Sequence, residues 1–148
     1  MKKLNLLPPP VVAVLLIGIA YLANTSFLGV HIVPATAAGL AWIATGLALA
    51  AAAALEFFRL KTTVLPHGTP RQLVTLGAFL WTRNPMYLGL FTALIGLAFY
   101  EGTLPFWLVP PAFFLIINRF HIPREEAKLT DVFGQDYETY QHQVRRWL

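Results

Sequence analysis

Cysteine is absent from the chain, which excludes disulfides, thiolate catalysis and cysteine-ligated metal sites. Serine occurs once, as Ser26, away from every candidate base, so a serine-hydrolase constellation is excluded too. The four histidines, His31, His67, His121 and His142, are scattered along the chain and predict no metal site. There is no glycine-rich dinucleotide fingerprint, P-loop, zinc-protease helix or nucleophile elbow. Charge is also scarce: 12% of residues are charged, against roughly 25% in an average soluble domain.

What remains is apolar. Hydrophobic residues make up 57% of the 148, and they gather into four runs. Residues 8–28 and 34–58 are each long enough to cross a bilayer, for which roughly 20 apolar residues suffice. Each opens with proline, which suits a first helical turn that needs no amide donor. The apolar start is long and is followed by a second run, so it reads as an uncleaved anchor. Gly39, Gly46 and the alanines of 48–54 predict close helix packing within the membrane.

The other two runs, 86–100 and 104–120, are joined by Glu101, Gly102 and Thr103. As a helix the first spans about 22 Å, short of the roughly 30 Å hydrocarbon core. The second carries Pro105, Pro110 and Pro111, which remove backbone donors and predict a kink. Such a hairpin is either a cavity wall or a short span with the bilayer thinned around it. The expected fold is thus an all-α integral membrane protein with four membrane helices, the last two a short kinked hairpin, plus cytoplasmic interfacial and C-terminal helices. Residues 1–61 read as a two-span anchor and 62–148 as the core, in one structural domain overall.

With these four spans, all 11 Lys and Arg residues fall on one side. The positive-inside rule then places both termini in the cytoplasm, as in a bacterial-type inner membrane. The net charge of +4 suits anionic lipid headgroups and does not point to nucleic acid. On that side, Pro66, Gly68 and Pro70 read as a loop. Leu73, Leu76, Leu80 and Trp81 predict a short interfacial helix over 71–81. In the tail, Pro123 opens a helix with Glu125 and Glu126 in its first turn, and Gly134 ends it. A last helix carries Tyr137, Tyr140 and Val144 on one face and Arg145, Arg146 and Trp147 at its end, resting on the membrane or folding over the hairpin as a lid.

A hairpin returns its two ends to one surface, so residues 83–87 meet residues 119–126 there. Arg83, with Pro85 opening a helix behind it, suits a carboxylate ligand. Glu125 or Glu126 suits ammonium groups and ribose hydroxyls, and Asn84, Tyr87 and the hairpin wall suit an adenine ring. S-adenosylmethionine has all of these parts, and its sulfonium favours an aromatic neighbour. The residues alone allow other readings. Tyr87 fits an aromatic belt, Arg83 and Arg119 fit snorkelling boundary cations, and the glutamates fit the positive end of a helix. A small four-helix exporter or a non-enzymatic scaffold would share this size and topology. An exporter calls for an acidic residue deep in a span, and Glu56 lies only at the end of the second one.

The ordered motifs narrow the choice. The stretch His67-Gly68-Thr69-Pro70, then Leu73-Val74-Thr75 and Gly77-Ala78-Phe79, leads into Thr82-Arg83-Asn84-Pro85-Met86-Tyr87-Leu88-Gly89. Arg124-Glu125-Glu126, Phe133-Gly134, Tyr137, Tyr140 and Val144-Arg145-Arg146-Trp147 follow in order. Over roughly residues 62–148 the chain resembles the integral membrane methyltransferases that act on isoprenylcysteine carboxylates and on phospholipids. The resemblance implies an enzyme that binds S-adenosylmethionine at the cytoplasmic end of the hairpin and releases S-adenosylhomocysteine. The lipophilic acceptor, a prenylcysteine-type carboxylate or a lipid amine, would enter from the bilayer. It also implies that Arg83, Asn84, Pro85, Tyr87, Gly89, His121, Glu125 and Glu126 bind the cofactor, that Glu126 and Arg146 are catalytic, and that no metal takes part. Many family members have histidine where this chain has Asn84, and asparagine cannot titrate. A carboxylate acceptor needs no base and would be oriented by Arg146, whereas an amine would need Glu125 or Glu126.

Overall fold

The computed structural model describes residues 7–26, 34–60 and 72–148. Lys2, Lys3, Lys61, Arg71 and the His67 to Pro70 motif lie outside those residues. The described chain is all helical: α1 (Pro9–Ser26), α2 (Thr36–Arg59), a 3₁₀ turn (Gly77–Leu80), α3 (Pro85–Glu101), α4 (Leu104–Ile116), a π-helical turn (Ile117–His121), α5 (Ile122–Phe133) and α6 (Gln135–Gln143).

Helix α2 is long and apolar enough to cross a bilayer. Only 17% of its most apolar stretch is buried inside the protein, so it is not the core helix of a soluble fold. Its outward residues include Leu40, Trp42, Leu47 and Leu55. Helices α1 and α3 are apolar but shorter, and α4 is shorter still, so span length among the described residues belongs to α2 alone rather than to four helices.

The most extensive packing joins α2 to α3. It is a seam of small residues. A Cβ on Gly39 would sit 2.7 Å from the Tyr100 amide nitrogen, and one on Gly96 would sit 2.6 Å from that of Ile43. Gly46 and Gly89 face each other in the same way, against Ala93 and Ala50. Absent side chains let the two backbones touch, which is how helices associate where lipid removes the hydrophobic drive. Helix α4 packs against α1 around Phe106, Val109 and Phe113.

Helices α3 and α4 form the expected hairpin, turned by Gly102 at φ 63, a left-handed conformation that favours glycine. Helix α4 then runs through Pro110 and Pro111 and does not end near Phe120. The irregularity appears one turn later, where the Ile122 amide bonds the Ile117 carbonyl in a π turn. Pro123 has no amide to offer the preceding turn, and the wider turn carries the helix past it into α5.

The expected interfacial helix over 71–81 does not form. Residues 72–76 lack regular structure and only Gly77–Leu80 closes a turn. Gly77 sits at φ 60 with the Glu56 side chain pressed over it, a conformation that interrupts a helix. The apolar residues Leu76, Leu80 and Trp81 still point outward at the charged end of the molecule.

Candidate active site

The charged end is built around one short clasp. Where the chain enters α3, the Arg83 amide donates to the Arg145 carbonyl at 2.9 Å. The Thr82 hydroxyl and the Asn84 side-chain amide both donate to the Arg146 carbonyl, at 3.0 and 2.9 Å. Residues 82–84 thereby strap the C-terminal segment across the start of the hairpin. The buried Tyr140 supports it from below by donating to the Phe79 carbonyl at 2.7 Å, which fixes α6 to the 3₁₀ turn.

The clasp brings three charged side chains together. Glu126 Oε1 lies 3.2 Å from Arg83 Nη1, and Glu126 takes Arg146 as a two-pronged partner at 3.1 and 2.5 Å. Arg146 also reaches Asn118 Oδ1 at 3.5 Å, where Trp147 Nε1 donates at 3.1 Å. Glu126 is therefore a shared anchor whose oxygens are taken by guanidinium groups. Both of its oxygens face guanidinium nitrogens. Arg146 faces Glu126 and Asn118 and does not line the cavity described next.

A cavity of about 340 Å³ opens beside this cluster, within the roughly 300–1,000 Å³ of small-molecule sites. Arg83, Asn84, Tyr87, Glu125, Glu126 and Lys128 form its polar wall. Phe57, Val74, Phe79, Met86 and Leu90 form much of its apolar one. Two features make it more than a gap. The Arg83 side chain is only 12% exposed, and while its Nη1 meets Glu126 as an ion pair, its Nε has no hydrogen-bond partner among the described residues, which is costly unless something accepts from it. Across the cavity the Tyr87 hydroxyl donates to Glu125 Oε1 at 2.5 Å. Burial pushes the Glu125 carboxyl above its ordinary range, against the opposing pull of that hydrogen bond and of His121 and Lys128. Burial likewise raises the Tyr137 hydroxyl, which lies near Arg83.

The adjacent glutamates thus face different partners, as a separation of about 100° on a helix requires. The expected cofactor residues divide in the same way. Arg83, Asn84, Pro85, Tyr87, Glu125 and Glu126 line the cavity. The Asn84 side chain also holds the strap. Gly89 lies in the seam against Gly46 and Ala50, not on the cavity wall, because its face of α3 is the one turned to α2. His121 is buried off the wall and its Nε2 bonds the Leu7 carbonyl at 2.9 Å, tying the start of α1 to the π turn.

Sequence reasoning missed Pro8, just before the first helix, and Pro9 and Pro10 at its start, which line the cavity. It also missed Asn118, whose one signal is that it is polar at the end of an apolar run. Thr82 was visible within a quoted motif but had no assigned role.

The phospholipid methyltransferase family matches this chain over residues 34–136. Among solved structures, the eukaryotic intramembrane Ras methyltransferase ICMT (isoprenylcysteine carboxyl methyltransferase) is similar, with a TM-score of 0.65 and 26% sequence identity. That similarity covers 91% of this chain and 50% of the other, so the chain spans half the length of that enzyme. An uncharacterized protein of Haemophilus influenzae is 43% identical over 63 residues, which is 43% of this chain and all of that protein.

Proposed function

Because the chain belongs to the phospholipid methyltransferase family, we propose that it moves a methyl group from S-adenosylmethionine to a lipophilic acceptor at a membrane surface. The observation that carries this reading is the pairing, in one cavity, of the Arg83 guanidinium, whose Nε has no partner among the described residues, with the Glu125–Tyr87 pair. One end of the cavity offers cationic donors to a carboxylate. The other offers acceptors to an ammonium group or ribose hydroxyls, and the apolar wall suits an adenine ring. These residues fit the cofactor's zwitterionic chemistry.

When bound, S-adenosylmethionine supplies a methyl group on a positively charged sulfur, ready for in-line transfer. The chain's contribution is position and the exclusion of water. Arg83 holds the anionic end, while Glu125 and Tyr87 hold the cationic or hydroxylated part. Glu126 keeps Arg83 and Arg146 in register and takes no proton. A carboxylate acceptor is already a nucleophile at neutral pH and needs no base. For an amine acceptor, Glu125 is the carboxylate with the freedom to take the proton, and its raised affinity for a proton suits that role.

The membrane topology in this reading is four crossings by α1 to α4, with both termini and the cavity on the cytoplasmic side. The confinement of all 11 Lys and Arg residues to one side supports it. Its partners are membrane lipids and a lipophilic or lipidated acceptor. The test is transfer of tritiated methyl from S-adenosylmethionine into the organic extract of membranes that hold the protein. Label in that extract that falls at least tenfold in Glu125→Gln supports the reading. Label no greater than in membranes lacking the protein, with each candidate acceptor class supplied, rejects it.

A further inference from the structure

One wall of the cavity comes from a distant segment. Pro8, just before α1, and Pro9 and Pro10 at its start line the cavity together with Tyr87 and Glu125. Three prolines in a row have no amide hydrogen to give, so this segment cannot be held through its own donors. Its carbonyls are left to anchor it. The Pro8 carbonyl accepts from the Val11 and Val12 amides, at 2.8 and 3.1 Å, which opens the helix. The Leu7 carbonyl accepts from His121 Nε2 at 2.9 Å, a contact between residues 114 positions apart.

His121 is buried, and a carbonyl can only accept, so Nε2 carries the proton. Its Nδ1 is left without a hydrogen-bond partner among the described residues. A buried polar atom without a partner is a cost that leucine would not bring to the same place. Packing alone therefore does not account for a histidine here, whereas the Nε2 bond does. His121 is the last residue of the π turn, and Glu125 follows it by about one turn of helix. The element that carries Glu125 to the cavity thus also grips the proline segment. Because proline fixes φ, three in succession form a stiff strut, and holding Leu7 sets where all three stand.

We propose that His121 is a positioning residue which, through the Leu7 carbonyl, seats Pro8 to Pro10 as the closing wall of the cofactor site; this rests on the methyltransferase reading above. It acts on the cofactor through that wall and not by contact. With the bond made, the prolines shut the cavity beside Tyr87 and Glu125 and keep water from the bound ligand. With the bond lost, the strut is released at its Leu7 end and the ligand escapes faster. The effect falls on dissociation more than on association.

The test exploits the absence of cysteine from the chain. Pro10→Cys puts a single thiol at an exposed position in the first turn of α1, on the cavity wall. In nanodiscs, saturating S-adenosylhomocysteine should slow the reaction of that thiol with a maleimide at least fivefold. His121→Leu should weaken S-adenosylhomocysteine binding about fivefold or more, the scale of one hydrogen bond, mostly through faster dissociation. In the Pro10→Cys background it should also abolish protection of the thiol at saturating ligand. His121→Gln carries an amide nitrogen close to the place of Nε2 and should restore both readouts to within twofold. A tie that served only the fold would lower the melting temperature and leave affinity and protection unchanged, and that result overturns the proposal. So does a folded His121→Gln protein that binds as weakly as His121→Leu, which would make the ring itself a ligand contact. If His121→Leu does not fold, the Pro10→Cys protein still decides, since a thiol equally reactive with and without ligand overturns the closing wall. An unaltered protein that binds no S-adenosylhomocysteine overturns the methyltransferase reading instead, so the two failures are told apart.

Discussion

The α2–α3 seam and the polar clasp solve opposite problems. In the seam contact is made by leaving side chains out: Gly39 against Gly96, Gly46 against Gly89. In the clasp, contact is made by long polar side chains from separate segments, with Arg83, Glu126 and Arg146 in line and Asn118 beyond. The seam fails when an atom is added. The clasp fails when a charge is left without its partner. The two are coupled through α3, because the seam sets the height of that helix and so the place where Arg83 and Tyr87 meet α5. A dry contact within the helix pair thus positions a wet one at its end.

Breaking the seam carries the largest expected effect. In Gly46→Leu, even the first added carbon would sit 2.5 Å from the Ala93 amide nitrogen, and backbone cannot give way as a side-chain tip can. Overpacking of this kind should cost about 3 kcal/mol or more. Thermal unfolding in detergent should show it, together with loss of S-adenosylhomocysteine binding although no cavity residue has changed. Unaltered binding would separate the seam from the site.

Glu126→Gln breaks the clasp by leaving Arg83 and Arg146 unpaired. Losing one partner of a fully buried pair costs about 3–5 kcal/mol. Here Arg146 is 36% exposed, so about 2 kcal/mol is expected from denaturant unfolding. Glu125→Gln should leave stability nearly unchanged and weaken cofactor binding about tenfold, the scale of a hydrogen bond to a charged group. That contrast between neighbours is the sharpest test of their division.

The pH dependence should follow Glu125. Burial raises its folded carboxyl above the unfolded value. In the cofactor-free protein its stabilising contribution is therefore full below the unfolded carboxylate pKa and lost as pH rises through the folded value. A cationic ligand beside it has the opposite sign, so affinity should climb as pH rises through that same value. Titrations at several pH values should show this slope, and Glu125→Gln should flatten it. The smallest effect belongs to Asn118→Ala, about 1 kcal/mol from the bonds to Arg146 and Trp147. It should appear as faster proteolysis of the C-terminal strap with little change in global unfolding.

Much of the seam was legible in the sequence, because glycine and alanine repeated along an apolar helix have few other uses. The hairpin was legible from Gly102, and the meeting of residues 83–87 with 119–126 followed from it. That one glutamate faces the site and the other pairs with arginine follows from helix geometry. Which is which does not, since it depends on the π turn at Ile117–His121 that rotates α5. The surroundings of Asn84 and Gly89 were not legible for a related reason. Asn84 lines the cavity while its side-chain amide is taken by the Arg146 carbonyl, and Gly89 faces α2. Pro8 to Pro10 gave no signal at all, because a distant segment joins a cavity only through tertiary packing.

The most direct measurement is calorimetric titration of S-adenosylhomocysteine into the purified protein in nanodiscs. If the cavity is the cofactor site, binding is saturable with one site per chain, in the micromolar range, and weakens at least tenfold in Arg83→Ala. A folded sample that takes up none, or one whose affinity is indifferent to Arg83, would contradict it.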